Sequence, residues 1–155
     1  MTLKVGDHAP DFTLPSSGGK SVTLSQLYAE KTVVVFFYPK DDTPGCTVEA
    51  CTFRDRYDSF AAAGAEVVGI SSDSLDSHDQ FASKHKLPMT LLSDEGGKVR
   101  ARWGVKSTLG IMPGRATFVV DRTGKVRHAF SSQLRVEKHV AEALAVVEEL
   151  AREKP

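Results

Sequence analysis

The chain has 155 residues, with 20 lysines and arginines against 20 aspartates and glutamates, so its formal net charge is zero. That balance offers no basic face for nucleic acid, and the longest apolar run, Val33 to Tyr38, is too short to cross a bilayer. Two cysteines are too few for a secreted disulfide scaffold and no signal-peptide pattern opens the chain, so one soluble cytoplasmic domain over 1–155 is expected.

In chain order, Phe12 to Leu14 and Ser21 to Leu24 flank Ser16-Ser-Gly-Gly19 and predict a small leading β-hairpin. Lys31 to Tyr38 is β-branched and aromatic without alternation, which fits a central strand buried on both faces. A helix is predicted from Pro44 to about Ala63, ending near Gly64, with Cys46, Ala50, Phe53, Tyr57 and Phe60 on its buried stripe. Glu66 to Ser71 then reads as a second strand, giving a parallel crossover. Ser77 to Lys86 is helical and stopped by Pro88, Thr90 to Ser93 is a short strand, and Gly97 to Trp103 is a short helix. Ala116 to Val120 and Val126 to Phe130 flank Asp121-Arg-Thr-Gly124-Lys125 as an antiparallel pair. Val136, Val140, Ala143, Leu144, Val147 and Leu150 recur at helical spacing and predict a terminal amphipathic helix. The sum is an α/β fold, and Trp103 and Phe37 are assigned to its core.

Cys46 stands out in this frame. Pro39-Lys-Asp-Asp-Thr43-Pro44-Gly45-Cys46 joins a buried strand to a helix, with Thr43 as N-cap and Pro44 as the first helical residue. Cys46 then occupies the third helical position, where a carboxylate is usually favoured and the helix dipole is positive. Such a slot favours an anionic sulfur, and a thiolate is the reactive form of cysteine. Cys51 lies on the same helix, rotated by about 140° and raised by about 7.5 Å. The two Cα atoms are then roughly 8 to 9 Å apart, so a disulfide between them requires the helix to unwind.

Two further uses of the cysteine pair remain open on these grounds, and a third is disfavoured. A thioredoxin-like disulfide oxidoreductase would want Cys-x-x-Cys, and the gap here is wider. A redox-sensing or holdase module would only register oxidation. A metal site is disfavoured, because the spacing is unusual for zinc and His8, His78, His85, His128 and His139 show no ligand pattern, each reading as a surface or internally satisfied residue. Neither a metal nor a cofactor is expected.

The stretch Pro39 to Cys46 matches the proline, threonine and cysteine pattern of the peroxiredoxins, thiol peroxidases built on a thioredoxin-like fold with a central mixed β-sheet flanked by helices. The continuation Cys46-Thr-Val-Glu49-Ala-Cys51, the segment Gly114-Arg115-Ala-Thr-Phe-Val-Val-Asp121 and Gln133 to His139 resemble the bacterioferritin comigratory protein, or peroxiredoxin Q, subfamily. The resemblance covers nearly the whole chain. It implies that Cys46 attacks hydrogen peroxide or an organic hydroperoxide and becomes a sulfenic acid, which Cys51 resolves as an intramolecular disulfide reduced by thioredoxin or a similar dithiol. It further implies that Thr43 hydrogen-bonds thiolate and peroxide, Pro39 shields the pocket, Arg115 favours the thiolate and steadies the transition state, and Glu49 orients Arg115. A monomer is expected. The short stretch Lys106 to Gly114 departs from the common bacterial form, which carries an extra loop there, and resembles the chloroplast and cyanobacterial type.

Overall fold

The computed structural model describes residues 3–105, 114–133 and 135–153. Most of the short Lys106 to Gly114 stretch therefore lies outside the described residues. The organising element is β3 (Thr32–Phe37), whose side chains from Val33 onward are buried on both faces. Val33, Val35 and Phe37 point into one core and Val34 and Phe36 into the other, as the two-residue period of a strand requires. Such a strand can only be central, and β3 pairs in parallel with β4 (Ala65–Ser71) and antiparallel with β6 (Ala116–Val120).

β5 (Thr90–Ser93) continues the parallel side, and β7 (Val126–Ser131) closes the other edge antiparallel to β6. The leading hairpin exists, with β1 (Thr13–Ser16) and β2 (Lys20–Thr23) antiparallel and β1 joined to β5. The result is one mixed seven-stranded sheet in the order β2-β1-β5-β4-β3-β6-β7. Leu24, expected at a strand end, instead opens the short helix α1 (Leu24–Tyr28), where it is fully buried. A residue that must enter the core on leaving an edge hairpin gains more from the turn than from one further strand pair.

Helices cover both faces. α1 and α5 (Lys98–Arg102) lie over the core that holds Trp103, Phe37 and Phe118. The opposite core is closed by α2 (Pro44–Asp55), α3 (Tyr57–Ala62), α4 (Leu75–His85) and the terminal helix α6 (Val136–Arg152). In α4 the Ser74 hydroxyl accepts from the Ser77 amide, and Lys86 ends the helix in the left-handed region two residues before Pro88.

The single helix expected from Pro44 to Ala63 is two helices. Arg56 leaves helical geometry (φ −104°, ψ 6°), and its amide is shared between the carbonyls of Thr52 and Phe53. Across the break the rings of Phe53 and Phe60, both fully buried, stand 5.6 Å apart. Tyr57, placed on the buried stripe by its spacing, is half-buried and donates its hydroxyl to Glu66.

Candidate active site

The site is built where β3 hands over to α2. Tyr38 still pairs with the sheet, through its amide to the Ile70 carbonyl at 3.0 Å, after which Pro39 turns the chain away half-buried. Thr43 is extended (φ −92°, ψ 156°) and Pro44 begins α2, which places Cys46 at the third helical position as expected. One expectation fails here. The Thr43 side chain caps no amide of α2 and instead donates to the Lys40 carbonyl at 2.9 Å. The hydroxyl tightens the loop from outside, and the first-turn amides, which have no helical acceptor, receive no capping oxygen from Thr43.

Cys46 is 1% exposed and packs in the core cluster with Phe36, Ala50 and Phe53. Arg115, just before β6, crosses from the neighbouring strand and donates from Nη2 to the sulfur at 3.4 Å. Its Nη1 donates to Glu49 Oε1 at 2.6 Å, so one guanidinium joins two side chains three residues apart on α2. The three groups are buried together. Arg115 is held in its charged form: burial works against the charge, but the charges of Glu49 and Cys46 and their hydrogen bonds outweigh it.

Glu49 is fully buried, and this pushes its pKa up to about 7 although the Arg115 charge pulls it down. Its second oxygen, Oε2, has no hydrogen-bond partner and lies 3.8 Å from Nδ1 of the buried His139. His139 bonds the Ser132 carbonyl through Nε2 and the Thr117 hydroxyl through Nδ1, at 2.8 Å each. Burial, with the Arg115 charge added, lowers its pKa to about 4, so it is a neutral ring that donates to Ser132 and accepts from Thr117.

Two contributors escaped the sequence. Arg100, on α5 and 8% exposed, donates to the Gly114 carbonyl at 2.5 Å and the Tyr38 carbonyl at 2.7 Å, with its guanidinium 5.6 Å from the centre of the Phe37 ring. It ties the start of the cysteine loop to the backbone that presents Arg115. Gly45 is the other: a Cβ there would stand 3.0 Å from Arg115 Nη2. An open pocket of about 540 Å³ over this first turn is lined by Pro44, Gly45, Val48, Arg135, Val136, Glu137 and Lys138.

Cys51 is not brought to Cys46. Both are free thiols on the unbroken helix α2, Cys46 buried and Cys51 half-buried. No helix among the described residues is long and apolar enough to cross a membrane.

A mixed sheet of this order, with a buried cysteine opening the helix after its central strand and an arginine from the adjacent strand on the sulfur, defines a thioredoxin-like fold of the peroxiredoxin kind. A family model described as the AhpC/TSA family matches residues 5–129, and the chain belongs to that family. It is 54% identical over 146 residues to the chloroplastic peroxiredoxin Q of Sedum lineare, covering 94% of this chain and 78% of that one. The chloroplastic peroxiredoxin Q of Suaeda salsa is also 54% identical, with 94% and 68% covered. Among solved structures, the peroxidoxin BcpB of Mycobacterium tuberculosis superposes with a TM-score of 0.89 at 41% identity, covering 96% of this chain and 98% of that one. Peroxiredoxin Q of Xanthomonas campestris gives 0.85 at 33% identity, with 97% and 98% covered. These relatives support thiol peroxidase activity.

Proposed function

We propose that this peroxiredoxin is a two-cysteine peroxidase in which Cys46 is the nucleophile and Cys51 resolves it. The observation that carries the reading is the Arg115 guanidinium 3.4 Å from a buried sulfur at a helix start. The Cys46 thiolate attacks one oxygen of a hydroperoxide, the O–O bond breaks, and the leaving alkoxide or hydroxide takes up a proton. The products are an alcohol or water and a Cys46 sulfenic acid. Negative charge grows on the leaving oxygen, so a fixed cationic donor beside the sulfur lowers the barrier. Glu49 holds Arg115 from the far side, while Pro39 and Thr43 shape the loop that borders the sulfur.

In the second step the Cys51 thiolate attacks the sulfenic sulfur and hydroxide leaves as water. Because α2 holds the two thiols apart, its first turns must unwind before that bond can form. A dithiol such as thioredoxin then reduces the disulfide and becomes oxidised in its place. The reading takes the enzyme to act as a monomer in a reducing compartment such as the cytoplasm; a sequence with only two cysteines, too few for a disulfide scaffold, supports the compartment.

Intact-mass analysis after one equivalent of hydrogen peroxide tests both steps. The wild type is expected to lose two hydrogens, Cys51→Ser to gain one oxygen, and Cys46→Ser to stay unchanged. Sustained NADPH consumption with thioredoxin and its reductase is expected in parallel. A single turnover followed by arrest would leave a redox sensor instead, and peroxide consumption by Cys46→Ser at the wild-type rate would remove Cys46 from the role.

A further inference from the structure

The loop that carries Cys46 is tied to α4 by a buried set of polar groups that the chemistry above does not use. Asp41 is 7% exposed and His78 fully buried. Asp41 Oδ1 accepts from the Tyr38 hydroxyl at 2.5 Å, and Oδ2 accepts from the Ser77 hydroxyl at 2.8 Å and faces His78 Nδ1 at 2.7 Å. On the other side of the ring, His78 Nε2 stands 2.9 Å from the Leu92 carbonyl.

A carbonyl oxygen only accepts, so Nε2 must carry a proton. An ionised carboxylate also only accepts, so Nδ1 must carry one too. With Asp41 ionised, His78 carries both ring protons, and the two form a buried ion pair in which both ring nitrogens and both carboxylate oxygens have partners. The groups facing the ring are Asp41, the Tyr38 hydroxyl at 3.5 Å from Nδ1, and Asp73. Asp73 in turn accepts from the Asp41 amide and the Ser71 hydroxyl, at 2.7 Å each. Ligand atoms of Asp41, Asp73 and His78 lie within 4.8 Å of one another, a spacing open to a cation, but both ring nitrogens and both Asp41 oxygens already have partners.

The next residue strengthens the tie from outside. Asp42 is held in the left-handed region (φ 60°), which a side chain other than glycine seldom adopts, and it pairs with Lys84 of α4 at 2.9 Å. Two consecutive acids thus bind one helix, Asp41 inward and Asp42 outward.

We propose that Asp41 and His78 are positioning residues: their buried ion pair clamps residues 38–43 to α4 and keeps the start of α2 folded around Cys46. The proposal rests on the reading of Cys46 above. Unwinding α2 from its N-terminus pulls on this loop, so the clamp sets how often the first turns open. His78 titrates in the matching direction. Burial opposes its charge, but Asp41, the Leu92 carbonyl and Asp73 outweigh burial and raise its pKa above the ordinary value. The clamp is complete while His78 is protonated and weakens as pH rises through that raised value.

The experiment reads amide hydrogen exchange of residues 39–50 in the reduced full-length protein, beside the second-order rate of Cys46 oxidation by hydrogen peroxide. His78→Gln is expected to speed exchange in that segment by roughly ten- to hundred-fold and to slow oxidation, while β3 and β4 keep their protection. Asp41→Asn tests the charge: its amide can donate to a neutral His78 and still accept from Tyr38, so the alkaline loss of protection expected of the wild type, with rates divided by the intrinsic base-catalysed rate, should vanish. Exchange in His78→Gln that is unchanged in residues 39–50, or raised equally across the sheet, would overturn the clamp. So would an alkaline loss of protection that persists in Asp41→Asn after the same division by the intrinsic rate, a readout that stands even where His78→Gln fails to fold. A wild type inert to peroxide would sink the peroxidase reading and leave the exchange result to decide the clamp by itself.

Discussion

Arg115 reaches the Cys46 sulfur across the place where residue 45 has no side chain, since a Cβ on Gly45 would stand 3.0 Å from Arg115 Nη2. The contact is with the reactive end of the guanidinium, so a methyl group there must displace it. Gly45→Ala should slow peroxide oxidation of Cys46 by about ten-fold or more. Stability should hold or rise, because alanine favours a helix over glycine by about 1 kcal/mol. Stopped-flow oxidation and a thermal melt of the same protein separate the two effects.

Removing the guanidinium tests the charge itself. Arg115→Met should lower kcat/KM for peroxide by roughly 10²- to 10³-fold, the scale of losing one transition-state donor. It should also cost about 3 kcal/mol of stability, since Glu49 is left in the core without its partner. Adding Glu49→Gln should restore much of the stability and none of the rate. Denaturant titrations paired with steady-state kinetics on both variants check this.

Glu49 and His139 should make opposite contributions to stability as pH falls. The folded state holds His139 at about 4 against an ordinary 6.5, so its contribution is present above 6.5 and lost as pH falls toward 4. Glu49 is raised from 4.5 to about 7, so its ionised form costs stability above 7, and that cost is relieved as pH falls toward 4.5. In the wild type the two nearly cancel. Glu49→Gln should lose up to about 3 kcal/mol between pH 6.5 and 4, and His139→Asn should gain a similar amount over the neighbouring window. Urea midpoints at a series of pH values would show whether the slopes have these signs.

The features that local chemistry decides were readable along the chain. A run of apolar residues made β3 central, a threonine and proline started α2, and turn residues placed both hairpins. The features set by distant partners were not. Arg100 meets a carbonyl 62 residues away and Arg115 a sulfur 69 residues away, and nothing local separates a buried arginine on a short helix from an exposed one. Arg115 and Glu49 entered through the family resemblance, whereas His78 and His139 looked like ordinary satisfied histidines. They are satisfied, His78 by Asp41 and the Leu92 carbonyl and His139 by the Thr117 hydroxyl and the Ser132 carbonyl, partners that only the folded chain brings together. The break at Arg56 had no local signal either, since arginine is a good helix former.

Val48 is half exposed on the second turn of α2, where a β-branched side chain weakens the helix. Val48→Ala should stabilise the folded turn by about 0.5 kcal/mol. Cys46 oxidation should be unaffected, while disulfide formation slows about two-fold. Quenched-flow measurement of sulfenic acid and disulfide in one time course would reveal whether unwinding governs only the second step.

The break at Arg56 also bears on how quickly the protein recovers after each turnover. Both cysteines lie upstream of Thr52, and the turn from Thr52 to Arg56 is fastened by the buried Phe53 and by Arg54 donating to the His85 carbonyl at 2.8 Å. That turn can stay wound while the residues before it come apart. Starting a helix is its slow and unfavourable step, by a factor of about a thousand, whereas lengthening one takes nanoseconds per residue. Once the disulfide is reduced, the reactive turn regrows from an existing seed, so its return should never set the pace of the cycle.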